Sequence, residues 1–242
     1  MRQAMIFAAG LGTRLKPLTD TMPKALIPVD GRPLLKHVVE KLKTAGFEHV
    51  VINVHHHAQM IVDYLKENDN FGIDIKISDE TTELLDTGGG IKKARQLFDP
   101  AYPILIHNVD ILSNVDLQSF YDGHADHDAT LLVSNRQTKR YLLFSKEMRM
   151  QGWTNIETGE VKAPGTVDAD ARKLAFSGIH IFSPRLFGLM DRWPEKFGIT
   201  DFYIRHCGEA DITGYEKKDL HLIDVGKLDT LSKAEEFIKT ET

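Results

Sequence analysis

The stretch that decides the fold is residues 7–35, which read FAAGLGTRLKPLTDTMPKALIPVDGRPLL. It continues the short apolar run at residues 4–8, and such a run is typical of a buried strand. Small residues in the turn that follows let the backbone approach a ligand closely, and successive N–H groups there form a concavity that binds anions. We therefore predict a strand followed by a phosphate-binding loop, whose small residues are Ala8, Ala9, Gly10 and Gly12.

Two other glycine-loop motifs fit this stretch less well. The dinucleotide fingerprint needs a third glycine where Leu15 stands, and Pro17 interrupts the helix that should begin at once. A Walker A loop needs a Gly-Lys-Ser or Gly-Lys-Thr triplet, which the sequence lacks. A turn that only links a strand to a helix remains open, but it does not explain why Arg14 and Lys24 flank so long a polar loop.

Hydrophobic periodicity extends the pattern outward from this stretch. Apolar runs predict strands at residues 4–8, 49–54, 73–78, 103–107 and 130–134. Helical spacing lies between them at 34–45, closed by Gly46 in a left-handed conformation, and at 58–68 and 90–98. Strands that alternate with helices indicate βαβ units, so we expect a doubly wound α/β fold whose mainly parallel sheet is covered on both faces.

After residue 135 the pattern changes to short strands at 141–145, 149–153 and 175–182, which we interpret as a small antiparallel extension. Helices are predicted near 184–191 and 199–207, then a strand at 221–225. An amphipathic helix closes the chain, with an apolar stripe at Leu228, Leu231, Ala234, Phe237 and Ile238. We expect one domain over 1–242, and the lack of a hexapeptide array predicts no C-terminal β-helix.

Composition limits the classes of function. The 242 residues carry 30 Lys plus Arg against 35 Asp plus Glu, a net charge of −5, so broad attraction to nucleic acid is not expected. No apolar run approaches the roughly 18 residues of a membrane span, and no signal peptide is evident. The single cysteine, Cys207, cannot form an intramolecular disulfide, which suits a reducing compartment. We expect a cytoplasmic protein without membrane or nucleic-acid partners.

The motif G-T-R-x-x-P-x-T at residues 12–19, followed by P-K-x-x-x-P-V at 23–29, resembles the signature of the sugar-1-phosphate nucleotidylyltransferases. The resemblance implies the Rossmann-like fold of nucleotide-diphospho-sugar transferases, with residues 1–135 binding the nucleotide and 136–242 binding the sugar. It also implies that Arg14 and Lys24 are catalytic and clamp the nucleotide phosphates. Arginine presents a planar donor fork and lysine a point charge to the charge that develops as pyrophosphate leaves. Thr13 joins the small residues of the loop in the implied nucleotide site.

Two aspartates are candidates for Mg²⁺, which typically takes one or two protein carboxylates. Asp110 follows the apolar strand at 103–107, and Asp224 ends the run at 221–225. Because ligands collect at the carboxyl ends of parallel strands, both positions are expected to converge on the site. Either aspartate alone would be explained more simply as a turn or a helix cap. The resemblance implies instead that both bind the metal.

Further motifs narrow the resemblance to the short N-acetylmuramate-1-phosphate uridylyltransferases and mannose-1-phosphate guanylyltransferase-like chains. LLDTGGGIKKA at 84–94 is similar to their loop against the nucleobase, which implies nucleotide contacts by Thr87 and Gly88. AFSGIHIFSPRLF at 175–187 and HLIDVGKLDTLSKAEEF at 221–237 are similar to their sugar-facing turn and their ending. The usual E-K-P element is not evident, so the expected sugar-binding residues are Asn108, Gly178, Glu160 and Lys162, the last two from GEVKAP.

The expected reaction joins a nucleoside triphosphate, UTP first and GTP second, to a sugar-1-phosphate. It yields a nucleotide-sugar and pyrophosphate with Mg²⁺ as cofactor, in a monomer or small homo-oligomer. No general base is required, because the sugar phosphate has a second pKa of about 6 and is already ionised at neutral pH. Two alternatives remain open: a CTP:phosphocholine-type cytidylyltransferase, and a catalytically silent regulatory subunit that binds nucleotide-sugar.

Overall fold

The computed structural model describes residues 1–241. Four parallel strands form one half of the main sheet, in the order β5, β4, β1, β6. Their apolar side chains alternate toward the two faces of the sheet, as expected for strands that are buried on both sides. The first six strands of the chain, including a short hairpin made by β2 and β3, are β1 (Gln3–Phe7), β2 (Pro28–Val29), β3 (Arg32–Pro33), β4 (His49–Val54), β5 (Asp74–Asp79) and β6 (Ile104–Asn108).

The second half of the chain continues the same sheet. Its long strand β12 runs antiparallel to β6 on one side and to β8 on the other, and β13 pairs with β8 in parallel. The amino-terminal part of β12 also pairs with β9, from which β10 and β11 extend as antiparallel strands. The bounds are β7 (Ile111–Ser113), β8 (Ala129–Ser134), β9 (Arg140–Phe144), β10 (Met150–Asn155), β11 (Val161–Lys162), β12 (Arg172–Phe182), β13 (Ile212–Glu216) and β14 (Leu222–Asp224).

Helices cover both faces of this sheet and enclose two hydrophobic cores. One face packs on α1 and α7, and the other packs on α3 and α6. The bounds are α1 (Leu34–Thr44), α2 (Ala58–Glu67), α3 (Asp86–Ala94), α4 (Leu117–Asp122), α5 (Phe187–Met190), α6 (Ile199–His206) and α7 (Leu231–Glu241). The doubly wound, mainly parallel fold with an antiparallel extension is confirmed, and Gly46 follows α1 with a φ of 80° as predicted.

The helix predicted at 90–98 begins and ends earlier, so this prediction was wrong in its bounds. Helix α3 starts at Asp86 and includes Thr87, Gly88 and Gly89, which lie before the predicted start at residue 90. Glycine disfavours a helix interior by about 1 kcal/mol relative to alanine. Tertiary packing overrides that preference here, because a β-carbon on Gly88 would lie 2.3 Å from the ring of Phe197. Only glycine allows the two segments to approach this closely.

The carboxyl end of the chain also differs from expectation. Strand β14 does not join the main sheet but forms a two-stranded antiparallel ribbon with β7. Leu228 precedes α7 in a 3-10 turn and is 45% exposed, so it does not belong to the apolar stripe. Ala234 and Ile238 of α7 are buried as predicted. Within residues 1–241, no helix is long and apolar enough to cross a bilayer.

Candidate active site

The glycine-rich loop leaves β1 and turns sharply at Gly12. Its φ is 62°, and a β-carbon there would lie 2.7 Å from Cγ2 of Thr19. The Thr19 hydroxyl donates to the Gly12 carbonyl at 2.9 Å and closes the turn. Glycine is therefore required at position 12 both by its backbone conformation and by the lack of space. This closed turn brings Thr13 and Arg14 to the edge of a cavity at the carboxyl end of β1.

Lys24 and Asp110 form an ion pair across this cavity. Lys24 is only 8% exposed and begins a short 3-10 turn, and Asp110 lies in the turn that follows β6. A buried ammonium requires a partner, since desolvation of an isolated charge is costly. The sequence prediction that both residues face one site is consistent with this contact. Their pairing also shows that Lys24 is positioned by a carboxylate before any phosphate arrives.

Arg14 and Asp224 converge on the turn after β14. A β-carbon on Gly226 would lie 2.8 Å from the Arg14 Nη2 atom and 2.7 Å from the Asp224 Oδ1 atom. Burial raises the pKa of Asp224 above its ordinary value, and the negative charge of Asp110 raises it further. Lys24, Arg14 and Arg136 oppose this shift in the pKa. The two carboxylates thus repel each other, although Asp224 remains exposed to solvent on one side.

The reason given for Asp224 was wrong even though Asp224 lies beside Asp110. Asp224 does not end a strand of the parallel sheet, because β14 pairs only with β7, in register Asp224 to Ile111. The backbone N–H of Val225 donates to the Asp110 carbonyl at 2.8 Å and fixes the two turns together. The ribbon, rather than the end of a parallel strand, therefore delivers the second carboxylate.

The carboxylates of Asp110 and Asp224 fit a hard divalent cation that takes few ligands from the protein. Among residues 1–241 there is no group of three or more His, Cys, Asp or Glu side chains arranged for a metal ion. Mg²⁺ does not need one, because it commonly keeps several waters and phosphate oxygens beside one or two carboxylates. Burial first, and then the negative charge of Asp110, raise the pKa of Asp224 despite the opposing charges of Lys24 and Arg14. Asp110 and Asp224 are the residues that would hold such a cation.

A buried network that the sequence analysis missed joins two walls of the cavity. Asn53 accepts hydrogen bonds from the backbone N–H groups of Ala8 at 2.8 Å and Ala9 at 3.3 Å. Its amide donates to the carboxylate of Glu80 at 2.7 Å, and that carboxylate also accepts from the Leu85 N–H at 3.1 Å. Glu80 is completely buried. The only sequence signal was a polar residue inside the apolar run of β4.

This network changes the part that Ala8 and Ala9 can play. They line the cavity as predicted, but their N–H groups already donate to Asn53 and are not available to a phosphate. Farther along the loop, the N–H groups of Leu11 and Gly12 have no hydrogen-bond partner within residues 1–241. The part of the loop that remains open to an anion is therefore its glycine turn.

The first turn of α3 closes the cavity from the opposite side. Thr87 lines the cavity, and its hydroxyl accepts a hydrogen bond from the Ile199 N–H at the start of α6 at 2.9 Å. Gly88 does not line the cavity. Its N–H donates to the Phe197 carbonyl at 2.8 Å, so its part is to join α3 to the segment before α6. The nucleotide contact expected for Gly88 stays a prediction, because Gly88 is not among the residues that line the cavity.

Three adjoining cavities cross this face of the protein. The loop cavity, of about 610 Å³, is lined by the glycine-rich loop, Lys24 and Asp110. The central cavity, of about 300 Å³, shares Phe7, Thr87 and Asn108 with it and contains Gly178 and Asp224. The distal cavity, of about 500 Å³, shares Arg136, Phe176 and Thr200 with the central one. Asp110 and Asp224 therefore flank the junction of the loop and central cavities.

The central cavity holds two of the four predicted sugar-binding residues. Gly178 sits in a wide bulge of β12 with a φ of 81°, and a β-carbon there would lie 2.6 Å from Nδ2 of Asn108. His180 also lines this cavity, and neither of its ring nitrogens has a hydrogen-bond partner among residues 1–241. Burial lowers the pKa of His180 to about 3, so the ring is neutral. Its position was not anticipated from the sequence.

The other two predicted sugar-binding residues lie farther away. Glu160 and Lys162 are exposed, pair with each other at 3.6 Å, and line the distal cavity rather than the central one. The Lys162 ammonium also lies 5.3 Å from the centre of the Trp153 ring. The hairpin of β10 and β11 carries them, and it pairs only with the outer edge of β9. A direct contact between these two residues and the sugar ring stays a prediction.

The model of the nucleotidyl transferase family matches residues 3–241. The chain belongs to the nucleotidyl transferase family. It is accordingly a nucleotidyltransferase enzyme, and the resemblance described for its motifs is confirmed.

Named relatives agree with this family. The chain is 33% identical over 209 residues to the N-acetylmuramate alpha-1-phosphate uridylyltransferase of Caulobacter vibrioides, covering 78% of this chain and 82% of the relative. It is 27% identical over 252 residues to a mannose-1-phosphate guanyltransferase of Kluyveromyces lactis, covering 96% and 66%. A putative glucose-1-phosphate thymidylyltransferase structure from Bacillus anthracis has a TM-score of 0.82 at 17% identity, covering 98% and 95%. This last likeness concerns the fold.

Proposed function

We propose that this nucleotidyltransferase transfers a nucleotidyl group from a nucleoside triphosphate to a sugar-1-phosphate, releasing pyrophosphate. The observation that carries the proposal is the convergence of two cations and two carboxylates where the loop and central cavities meet. The triphosphate occupies the loop cavity and the sugar phosphate the central cavity. The two reacting phosphates then meet between Asp110 and Asp224.

Catalysis in this site consists of positioning and neutralising charge. An oxygen of the sugar phosphate is already ionised at neutral pH, and it attacks the α-phosphorus of the triphosphate in line. The bond from the α-phosphorus to the bridging oxygen breaks, and pyrophosphate leaves with the electron pair. Arg14 and Lys24 stabilise the negative charge that develops on the phosphates. No proton has to be removed, so no general base is assigned.

Asp110 and Asp224 are the proposed ligands of Mg²⁺. When bound, the cation supplies charge neutralisation between the two anionic substrates and on the leaving group. The ion pair with Asp110 keeps the Lys24 ammonium beside this place, and Gly226 lets Arg14 approach Asp224. The side chains of the site are therefore held by each other as well as by their own backbone.

UTP is the proposed nucleotide, with GTP as the second choice. The uridylyltransferase from Caulobacter vibrioides supports UTP, and the guanyltransferase from Kluyveromyces lactis supports GTP. The proposed acceptor is N-acetylmuramate-1-phosphate, mannose-1-phosphate or a heptose phosphate. In the loop cavity the base would lie between the glycine-rich loop and the first turn of α3, where Glu80 and Thr87 line the wall.

The test is pyrophosphate release from a matrix of five nucleoside triphosphates against a panel of sugar-1-phosphates and phosphocholine. We expect release with UTP or GTP and a sugar phosphate, and its loss when EDTA replaces Mg²⁺. Release only with CTP and phosphocholine would contradict the acceptor class. If no combination released pyrophosphate but a nucleotide-sugar raised the melting temperature, the result would instead support a regulatory binding protein.

A further inference from the structure

The distal cavity extends the substrate path beyond the space expected for a sugar ring. It opens from the central cavity, with which it shares Arg136, Phe176 and Thr200. A ligand whose phosphate lies between Asp110 and Asp224 and whose ring lies by Gly178 would therefore direct a substituent toward this cavity. The residues of the distal cavity that do not belong to the central one decide which substituent fits.

Arg136 stands at the opening between the two cavities. One of its terminal nitrogens donates to the Phe176 carbonyl at 2.9 Å, and this bond anchors the guanidinium at the bulge of β12. Its charge also reaches Asp224, whose pKa it helps to lower. The remaining guanidinium donors are not used by any side chain within residues 1–241. Arg136 can thus bind an anion on the distal side while it remains held in place.

Arg140 provides a second positive charge in the distal cavity. It begins β9, and within the described part of the chain it has neither an ion pair nor a side-chain hydrogen bond. The segment between Arg136 and the start of β9 is ordered by two contacts. The Thr138 N–H donates to the Tyr141 hydroxyl at 3.0 Å, and the Ile156 N–H donates to the Lys139 carbonyl at 2.9 Å. Arg140 is a cation without a carboxylate, on a supported loop.

The acidic residues of the distal cavity do not cancel these charges. Glu160 pairs with Lys162 at 3.6 Å, so the two offset each other. Asp201 lies in the first turn of α6, and a β-carbon on Gly198 would lie 3.3 Å from its Oδ2 atom. The carboxylate is thus directed at the amino terminus of its own helix, where the helix dipole stabilises it. An excess of positive charge remains at Arg136 and Arg140.

We infer that the acceptor is a sugar-1-phosphate that carries a second anionic group, a carboxylate or a phosphate, and that Arg136 and Arg140 bind that group in the distal cavity. Arginine suits this part because its fork of donors matches the oxygens of either group in pairs. This inference rests on the proposed function and narrows it. A hexose phosphate without a second anionic group would fill the central cavity and leave both guanidinium groups solvated.

The experiment compares acceptors that have the second anionic group with acceptors that lack it. N-acetylmuramate-1-phosphate is compared with N-acetylglucosamine-1-phosphate and with its own carboxyl methyl ester, and mannose-1,6-bisphosphate with mannose-1-phosphate. We expect kcat/KM to be at least about tenfold higher for the anionic member of one pair, since charge-assisted bonds of this kind are among the stronger ones. The pair that shows the difference identifies the anion. The difference should decrease as ionic strength rises.

The variant Arg140→Gln tests the assignment to the distal cavity. It should lower the ratio of kcat/KM for the anionic member over the neutral member about tenfold. Arg192→Gln makes the same chemical change at an exposed residue outside the three cavities and should leave that ratio unaltered. Equal kcat/KM for the two acceptors in each of the three comparisons would overturn the inference. So would an Arg140→Gln variant that lowers both members by the same factor.

Failure of the proposed function is distinguishable from failure of this inference. If no acceptor supports pyrophosphate release, the proposed reaction is wrong. Calorimetric titration of the same matched acceptors then measures binding without turnover. The inference still requires a Kd about tenfold lower for the anionic member, with that difference lost in Arg140→Gln. Equal Kd values would overturn it.

Discussion

The loop cavity and the distal cavity hold their cations in opposite ways. Lys24 is almost completely buried and is paired with Asp110, and the turn beside it admits only glycine at position 12. Arg136 and Arg140 are exposed, and Arg140 has no carboxylate partner within residues 1–241. The first region is organised by packing before a ligand binds, and the second presents charged side chains that a ligand must order.

This difference has a consequence for how each region tolerates change. A rigid site holds reacting groups in place, so small displacements cost a large part of the rate. Exposed cations contribute less to affinity, because each pays for lost side-chain freedom and is screened by salt. The chemistry of the reaction should therefore depend on the loop cavity, and the choice of acceptor on the distal cavity. Four substitutions, from the largest expected effect to the smallest, test the rigid region.

Asp110→Asn should have the largest effect. It removes a proposed metal ligand and the negative charge beside Lys24, so kcat should fall about 10²- to 10³-fold, the range seen for loss of electrostatic stabilisation. The circular dichroism spectrum should remain native. Asp122→Asn, which breaks an exposed pair with Arg2 at 2.9 Å, should change kcat less than about twofold. An active Asp110→Asn enzyme with unchanged Mg²⁺ dependence would contradict the assignment.

Gly12→Ala should have the second largest effect. A β-carbon there meets Thr19 at 2.7 Å, so the loop must move, and kcat/KM for the triphosphate should fall about 10- to 100-fold. Gly31→Ala is the matched control, since it also has a positive φ, of 72°, but nothing within 4 Å. Both should lose about 1 to 2 kcal/mol of stability in urea unfolding. If Gly31→Ala lowered kcat/KM as strongly, the loop geometry would not be the cause.

Glu80→Gln should have a smaller effect, seen mainly in KM. The carboxylate accepts from Asn53 and from the Leu85 N–H, and an amide would turn a donor toward one of them. The glycine-rich loop and α3 would then be less well aligned, and KM for the triphosphate should rise about fivefold. Glu83→Gln changes an exposed carboxylate nearby and should leave KM as it is. An unchanged KM in Glu80→Gln would show that the network does not position the loop.

Asp224→Asn also removes a proposed metal ligand and should lower kcat, but its effect on thermal stability should be small, and it should be a gain. The raised pKa of Asp224 means that the folded state disfavours the ionised carboxylate. This destabilisation is absent at a pH below the ordinary pKa of aspartate, where the group is protonated in both states. It is fully present once the pH exceeds the raised pKa of the folded state. The variant should melt at a slightly higher temperature at pH 7, since solvent screens much of the charge of an exposed carboxylate, and this gain should shrink toward pH 4. Asp219→Asn is the control, because a hydrogen bond from Lys217 lowers the pKa of Asp219. A gain there too would contradict this account.

Much of the first half of the fold could be predicted from its sequence. The strands β1, β4 and β6 came directly from apolar runs, and Arg14 and Lys24 from a local motif. In contrast, α4 and β13 were not predicted, since α4 has only six residues and the sequence of β13, ITGYE, is not an apolar run. Helix α3 was placed four residues late because its glycines argue against a helix. Packing against Phe197, which lies more than a hundred residues away in sequence, reversed that preference.

The residues missed in the site share one property: their importance lies in partners distant in sequence. Asn53 binds the backbone of Ala8 across 45 positions, and Glu80 links it to α3. His180 and Arg136 gain their places from the bulge of β12. Such contacts leave no periodic pattern, because they depend on which strands become neighbours. A single sequence does not show the order of strands in the sheet, and here β12 lies between β6 and β8, which no local pattern predicts.

The sequence alone determined the class of fold and the class of chemistry. Both depend on local properties, namely the alternation of apolar runs and the residue types in one glycine-rich loop. Only the tertiary structure decided how the carboxylates meet, since Asp224 arrives on the antiparallel ribbon with β7. It alone also aligned three cavities and left Arg140 without a partner among the described residues. Burial and charge balance are properties of distant segments packed together, so no local pattern encodes them.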